Sequence, residues 1–174
     1  LIRESFIVTE KIEAVVLEKH LRNLNPPFTL EQIQLKEQLI IDFAYTLKDA
    51  HNKGFFSDDL NVSNILIKTD NNKTTFWFLD FDGAECKKHL SLQGRVKNLL
   101  RLNNNIRSLE PDIITKEDKI KFLKSYAGDD TDLFQVLLKK TRCREKCLVT
   151  KDGIRLIINS QYYEAFLAYG LENL

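Results

Sequence analysis

Apolar residues recur with a helical period in several segments, and the longest of these begins at Thr29. Thr29 and Gln32 have the spacing of a capping box, in which two side chains satisfy each other's backbone N–H groups. Gly54 lies beyond the far end, where a left-handed residue stops a helix at little cost. The pattern predicts an amphipathic helix of about 22 residues. Its apolar face is formed by Ile33, Ile40, Phe43, Ala44, Leu47 and Ala50.

The segments on either side of this helix predict strands and a second, shorter helix. Residues 5–10 ("SFIVTE") have the apolar character of a buried strand, and residues 15–24 predict a short helix that ends at Asn25-Pro26-Pro27. Downstream, "NILIK" and "TTFWFLD" flank the polar turn sequence "TDNN". Two apolar runs around a polar turn are typical of a β-hairpin.

The second half of the chain is predicted to be helical. The stretch "LSLQGRVKNLLRLNNNI" predicts a helix that is interrupted or capped near Gly94, and Thr115 opens another that runs through Tyr126. Helices are also expected over residues 130–141 and 160–172. The predicted fold class is therefore α+β and mainly helical, with a short hairpin.

Composition adds few restrictions. The 174 residues suffice for one domain with its own core. With 26 basic and 25 acidic side chains, the charge balance does not favour a nucleic-acid partner. Cys143 and Cys147 lack the companion ligands of a zinc site, so reduced cysteines of a cytosolic protein are expected. No apolar run reaches the roughly 18 residues of a membrane span. Because the chain starts at Leu1 and contains no Met, we expect a piece of a longer protein.

Three polar side chains around the hairpin form an ordered set. Asp59 precedes Asn64 by five positions, and Asp80 follows the second strand. A hairpin returns the end of its second strand to the start of its first, so the three side chains should lie close together. An amide oxygen and a carboxylate suit Mg²⁺, and a second carboxylate can orient or deprotonate a hydroxyl. These are the groups that phosphoryl transfer needs.

The same residues carry a family resemblance. A long helix ending in "AHNKG", followed by "FFSDDLNVSNILI" and "FLDFDG", resembles the catalytic loop and metal-binding segment of protein-kinase-like enzymes. The resemblance implies that Asp59 is the catalytic base, that Asn64 and Asp80 hold Mg²⁺, and that ATP is the phosphate donor. Ser57 departs from this pattern, since the family has His there.

A narrower resemblance follows from "DFD" (residues 80–82), "RVKNLLRLNNNI" and "EDKIKFLKSY", which are similar to segments of the lipopolysaccharide core kinases. It implies that the acceptor is a heptose or Kdo sugar, and that the protein is cytoplasmic, at the inner face of the inner membrane. Asp82 replaces the usual Gly, as a metal-facing or supporting carboxylate. Lys87, Lys88 and Arg95 form either a solvated face or a surface for an anionic sugar or lipid headgroup.

The front of the chain resembles the end of a kinase N-terminal lobe. Residues 1–12 would be the last strand of that lobe and the hinge, and residues 13–174 the C-terminal lobe. Glu10, Lys11 and Ile12 would then receive the adenine of ATP. The glycine-rich loop and the phosphate-gripping Lys would precede Leu1, so we expect the 174 residues alone to show little kinase activity.

Two other functions are compatible with parts of the sequence. "FWFLDFDGAE" resembles the first motif of haloacid-dehalogenase-like phosphatases, with Asp80 as nucleophile and Asp82 as acid/base. Ala84 replaces the Thr of that motif, and the segment before Gly128 predicts a helix where the phosphatase needs a strand. The second alternative is a kinase-like binding module without activity, which the Ser57 departure favours. His51 is predicted to be a structural residue that suits the dipole at a helix end.

Overall fold

The computed structural model describes residues 11–24, 26–70, 73–107, 109, 113–141, 145–149 and 155–159. The chain divides into two compact units, residues 1–138 and 139–174. In the second unit, β6 (Glu145–Val149) and β7 (Arg155–Asn159) pair antiparallel, with Glu145 opposite Asn159. The strand predicted over residues 5–10 and the helix predicted over residues 160–172 lie outside the described residues. Cys143 does too, and only the backbone of Cys147 is described, so their predicted reduced state stays a prediction.

The long helix predicted from Thr29 is present as α2 (Leu30–Asn52). The Gln32 N–H donates to Thr29 Oγ1 at 3.2 Å, and the Thr29 N–H donates to Gln32 Oε1 at 2.9 Å, which confirms the capping box. Gly54 ends the helix with φ +88°. A Cβ at this position would stand 1.6 Å from the Lys87 carbonyl oxygen. Both the backbone conformation and the close approach of a second segment therefore require glycine.

The predicted hairpin is also present, and a third strand extends it. β3 (Ile65–Asp70) pairs antiparallel with β4 (Lys73–Phe78). On the other edge of β3 lies β1 (Val15–Val16), with Val15 opposite Ile67. The helix predicted over residues 15–24 consequently begins only at Leu17, as α1 (Leu17–Arg22). The β-branched pair of valines joins the sheet because their extended backbone completes hydrogen bonds of β3.

A second small sheet was not predicted from the sequence. β2 (Phe55–Ser57) pairs antiparallel with β5 (Ala84–Cys86), and Ser57 stands opposite Ala84. Strands of three residues are too short for a recognisable alternation of apolar and polar positions. The sheet matters because it joins the end of α2 to the segment that follows the hairpin.

Three more helices follow the hairpin: α3 (Leu92–Arg107), α4 (Lys116–Ala127) and α5 (Thr131–Thr141). The first unit ends within α5, at Leu138. Thr115 caps α4 in a second capping box, with Asp118 as its partner. Of the two alternatives predicted near Gly94, an interruption is wrong and a cap is present, since the Ser91 side chain caps the start of α3. Gly94 lies in the first turn of α3 and its N–H donates to Ser91 Oγ at 3.2 Å, so the helix continues without a break.

The core of the first unit lies between α2, α4 and the face of the three-stranded sheet. Its fully buried members include Leu47, Ile65 and Tyr126. Within the part of the chain that the structure describes, none of the helices has the length and apolar character of a membrane span. The wider cluster comprises Leu17, Leu21, Leu39, Phe43, Ala44, Leu60, Val62, Ile67, Phe76, Leu99, Leu102, Leu109, Ile113, Leu123 and Leu137.

One ion pair is buried beside this core and ties α2 to the start of α4. Lys36 Nζ donates to Asp118 Oδ2 at 2.7 Å and to the Ile113 carbonyl at 3.3 Å. The two side chains are only 6% and 8% exposed. The same Asp118 oxygen accepts the Thr115 N–H at 2.9 Å, so the carboxylate caps α4 and neutralises Lys36 together. Removing either partner would leave a buried charge without compensation.

Replacing Lys36 by Met keeps the aliphatic chain and removes the ammonium group. We expect this change to lower the free energy of unfolding by about 3 kcal/mol, because Asp118 is left buried without its counter-charge. Urea denaturation measures the loss. Lys53→Met is the matched control, since it breaks an exposed pair with Asp49 on the same helix and should cost less than about 1 kcal/mol. Equal losses in the two variants would contradict the assignment.

Candidate functional site

The loop between β2 and β3 brings two of the predicted site residues into contact. The Asn64 side chain ends a short 3₁₀ turn, Val62–Asn64, and its Nδ2 donates to Asp59 Oδ2 at 3.4 Å. Asn61 begins that turn, and its side chain accepts the Ser63 N–H at 3.1 Å. The Asp59 carboxylate is exposed to solvent. Asp59 can therefore meet a substrate while Asn64 fixes its orientation.

The hairpin places the third predicted residue at the same edge. The Leu79 N–H donates to the Asn64 carbonyl at 2.8 Å, which continues the β3–β4 ladder by one pair. Asp80 follows directly and has φ +55°, a left-handed conformation that is uncommon for residues other than glycine. Its Oδ1 accepts the Asp82 N–H at 3.2 Å. Strained residues of this kind concentrate at functional sites.

The oxygen atoms of Asn64 and Asp80 that these two hydrogen bonds do not use suit a hard cation. Because Asn64 Nδ2 faces Asp59, the amide oxygen Oδ1 is directed elsewhere, and one oxygen of Asp80 is not engaged by Asp82. An amide oxygen and a carboxylate oxygen fit Mg²⁺, which keeps water and phosphate oxygens as its other ligands. The described residues contain no cluster of three or more His, Cys, Asp or Glu side chains arranged around a metal. A site here would depend on oxygen atoms from the nucleotide.

The predicted hinge residues are not joined to this group in the described structure. Lys11 is exposed and its ammonium pairs with Glu13 at 2.7 Å. Ile12 is half-buried, and Glu10 lies outside the described residues. The adenine-binding role of residues 10–12 stays a prediction.

Ser57, which departs from the kinase pattern, anchors the loop that carries Asp59. Its Oγ accepts the Asp59 N–H at 3.1 Å. Asn98 of α3 holds the Ser57 backbone from both sides, since Nδ2 donates to the Ser57 carbonyl at 2.6 Å and Oδ1 accepts the Ser57 N–H at 3.4 Å. Both Ser57 and Asn98 are buried. The position of the loop is thus fixed by one amide on the neighbouring helix.

A buried chain of hydrogen bonds extends from Asn98 to α4. His51 Nε2 lies 3.2 Å from Asn98 Oδ1, and His51 Nδ1 lies 2.7 Å from the Tyr126 hydroxyl. Because Asn98 Oδ1 is an acceptor, His51 Nε2 must carry the proton, and Nδ1 accepts from Tyr126. Arg95 Nη1 then donates to the Tyr126 oxygen at 3.3 Å. Each polar side-chain group in this series of hydrogen bonds has a partner when the His51 imidazole is neutral.

The electrostatics of this network correct two sequence-based predictions. Burial lowers the pKa of His51 to about 4, with a smaller contribution from the Arg95 charge and an opposing one from Asn98. His51 is structural as predicted, but the reason given was wrong, since a neutral imidazole does not exploit a helix dipole. Arg95 was assigned to a surface of exposed cations. It is half-buried and also donates to the Leu90 and His51 carbonyls, so it belongs to the network.

Asn98 was missed by the sequence analysis, although a signal existed. It occupies the same face of α3 as the buried Leu99 and Leu102, where an apolar residue is expected. A polar residue at a core position of a helix indicates a specific hydrogen-bonding partner. The partner, Ser57, lies 41 positions away and could not be identified from spacing.

Comparison with known proteins connects this geometry to one family. The family model described as "Lipopolysaccharide kinase (Kdo/WaaP) family" matches residues 1–126. No match was found among curated proteins. One similar solved structure is described as WaaP in complex with acyl carrier protein, with 21% sequence identity and a TM-score of 0.57. The match covers 76% of this chain and 58% of that protein, so the chain spans little more than half of its length. The structural likeness supports the predicted kinase-like, α+β fold.

The low pKa of His51 predicts a specific dependence of stability on pH. Below its ordinary value of 6.5, His51 binds a proton in the unfolded state but not in the folded state, so folding loses free energy as the pH falls towards 4. The expected loss from this residue is about 3 kcal/mol. It is measured as the difference between the wild-type protein and His51→Gln in urea denaturation at pH 7 and at pH 4.

The carboxylates that titrate in the same range affect both proteins equally and cancel in that difference. Parallel pH profiles for the two proteins would show that His51 is protonated in the folded state. If the difference in the free energy of unfolding between the wild type and His51→Gln becomes smaller as the pH falls, the folded protein holds a neutral, buried imidazole.

Proposed function

Because the chain belongs to the lipopolysaccharide kinase (Kdo/WaaP) family, we propose that it transfers the γ-phosphate of ATP to a hydroxyl group of a lipopolysaccharide inner-core sugar, a heptose or Kdo. The observation that carries this proposal is the contact between Asp59 and Asn64 at the end of the hairpin that bears Asp80. These are the positions of the base and the two metal ligands in the kinase pattern. The Asp59–Asn64 contact and the backbone bond that joins Leu79 to Asn64 support this assignment.

In the proposed reaction, Asp59 orients the acceptor hydroxyl and accepts its proton. The hydroxyl oxygen forms a bond to the γ-phosphorus while the bond to the bridging β,γ-oxygen breaks, and ADP leaves. The exposed position of Asp59 gives an acceptor access. Its N–H bond to Ser57 Oγ and its contact with Asn64 hold the carboxylate before the acceptor arrives, which reduces the entropy lost in the transition state.

The proposal assigns Mg²⁺ binding to the Asn64 amide oxygen and the Asp80 carboxylate. When bound, the ion neutralises charge on the phosphate oxygens. Asp80 has a left-handed backbone, and the Asp82 N–H holds one of its carboxylate oxygens. We propose that Asp82 supports Asp80 through this backbone hydrogen bond. Residues 10–12 are proposed to contact adenine, and the cytoplasmic face of the inner membrane is the proposed location.

The structure gives little support to the phosphatase alternative. That reaction needs Asp80 at the carboxyl end of a buried parallel strand, whereas β4 pairs antiparallel with β3. The segment before Gly128 is helical, as α4, where the phosphatase needs a strand. Asp80 and Asp82 are both exposed, and Asp80 Oδ1 accepts a hydrogen bond from the Asp82 backbone N–H.

Replacing Asp59 by Asn in the full-length protein should separate chemistry from binding. The amide cannot accept the acceptor proton, so we expect kcat to fall by about 10²- to 10⁴-fold. The affinity for ATP and Mg²⁺ should change little, because Asp59 is not assigned to the nucleotide. Phosphoryl transfer is measured with radiolabelled ATP and an inner-core acceptor, and nucleotide affinity by calorimetry.

Asp49→Asn is the control for that experiment, since Asp49 is an exposed carboxylate of α2 whose partner is Lys53. It should leave both quantities unchanged. Normal turnover in Asp59→Asn would refute the assignment of the base. Nucleotide binding without transfer in the wild-type protein would favour a binding module, and ester hydrolysis without ATP would favour the phosphatase.

A further inference from the structure

Three cationic side chains gather at Phe56 and Asp58, two residues of the segment that leads into the candidate base. Lys87 and Lys97 place their ammonium groups 4.9 and 5.2 Å from the centre of that ring. Lys97 and Arg101 lie one turn apart on α3 and share the carboxylate of Asp58, at 2.7 and 3.6 Å. We refer to Lys87, Lys97 and Arg101 as the α3-side cation cluster. Asp58, the counter-ion that Lys97 and Arg101 share, directly precedes Asp59 in the chain.

The cluster carries more positive charge than its partners neutralise. Asp58 offers one negative charge to both Lys97 and Arg101, and Lys87 pairs with Glu85 at 3.0 Å. Three cations thus face two carboxylates. The cationic side chains remain accessible, since Lys97 is 52% exposed and Arg101 is 39% exposed. Like charges held close together repel each other, and an additional anion would relieve that repulsion.

The aromatic ring and the Asp58 carboxylate keep the cluster assembled. A cation above a ring face is attracted by the ring's negative face, and Phe56 itself is buried. The Asp58 N–H donates to the Gly83 carbonyl at 3.1 Å, so the backbone that carries this carboxylate is anchored. The cations lower the pKa of Asp58, through the Lys97 hydrogen bond first and then the charges of Lys97, Arg101 and Lys87. Asp58 is therefore a permanent internal counter-ion.

We propose that the α3-side cation cluster binds an anionic group of the acceptor, a phosphate or a carboxylate, and so positions the acceptor hydroxyl at Asp59. This inference rests on the proposed phosphoryl transfer, whose acceptor it describes. A guanidinium group and two ammonium groups supply the donors that such an anion needs. Asp58 occupies part of the subsite in the free protein and competes with the ligand. An ordinary surface ion pair would gain nothing from an added anion.

Because Asp58 competes with the anion for Lys97 and Arg101, substitutions of the cations and of Asp58 should change anion affinity in opposite directions. In the variant Lys97→Gln/Arg101→Gln, the affinity for pyrophosphate should fall by about tenfold or more. In Asp58→Asn, the affinity should rise several-fold, because the internal competitor is gone. Binding is followed in the full-length protein by the NMR shifts of the backbone amides of residues 97–101. The control Arg22→Gln/Lys121→Gln removes one Arg and one Lys from ion pairs on α1 and α4 and should bind like the wild type.

The source of the anion is distinguished by two further probes. A sugar phosphate that binds the wild type, while vesicles of phosphatidylglycerol do not, indicates an anion carried by the acceptor. Vesicle binding that disappears in Lys97→Gln/Arg101→Gln indicates a lipid headgroup at the same cluster. Unchanged pyrophosphate affinity in that variant, or no rise in Asp58→Asn, would overturn the proposal.

The binding of pyrophosphate, the sugar phosphate and vesicles is measured without catalysis, so it is tested separately from phosphoryl transfer. Failure of the proposed function would appear as absent phosphoryl transfer with anion binding intact. Failure of this inference would appear as normal transfer, with no rise in the acceptor KM in Lys97→Gln/Arg101→Gln. When both hold, that variant raises the acceptor KM and leaves the KM for ATP unchanged.

Discussion

The hydrogen bonds between Asn98 and Ser57 are the contacts on which the candidate site depends. They cross from α3 to the end of β2 and satisfy both backbone groups of a residue that is otherwise buried. An unpaired backbone group in such a place costs about 1–3 kcal/mol, so the loop has no inexpensive alternative position. Ser57 in turn binds the Asp59 N–H. One amide side chain thereby transmits the rigidity of a packed helix to an exposed carboxylate.

This arrangement also explains how the chain tolerates Ser where the kinase pattern has His. A buried imidazole is still present beside the loop, but it is supplied by His51 at the end of α2. His51 supports Asn98 from behind and is itself held by Tyr126. The network joins α2, α3 and α4 through neutral hydrogen bonds, apart from Arg95 at its edge. The loop at Ser57 is thus held by several residues and not by one side chain.

The elements with a strong local signal could be predicted from the sequence. The capping box at Thr29, the helix start at Thr115, the glycine stop at Gly54 and the two strands of the hairpin all depend on residues close in sequence. The partnership of Asp59 with Asn64 followed from hairpin geometry and a five-residue spacing. The β2–β5 sheet and the Asn98 contact depend on segments about 30 to 40 residues apart. Nothing local specifies such pairings, which arise only when the core has formed.

The same dependence on the core sets the backbone position of Asn64 and Asp80, the residues proposed to bind Mg²⁺. Ile65 and Ile67 are buried on one face of β3, and Phe76 is buried on the facing strand. A slip of one residue between β3 and β4 would turn these side chains out to solvent, at a cost of about 1.5–3 kcal/mol for each. The register that buries them is the one that pairs Leu79 with Asn64. The position of Asp80 after β4 is consequently set by the apolar packing that fixes this register, and its left-handed backbone is tolerated because that packing is too costly to give up.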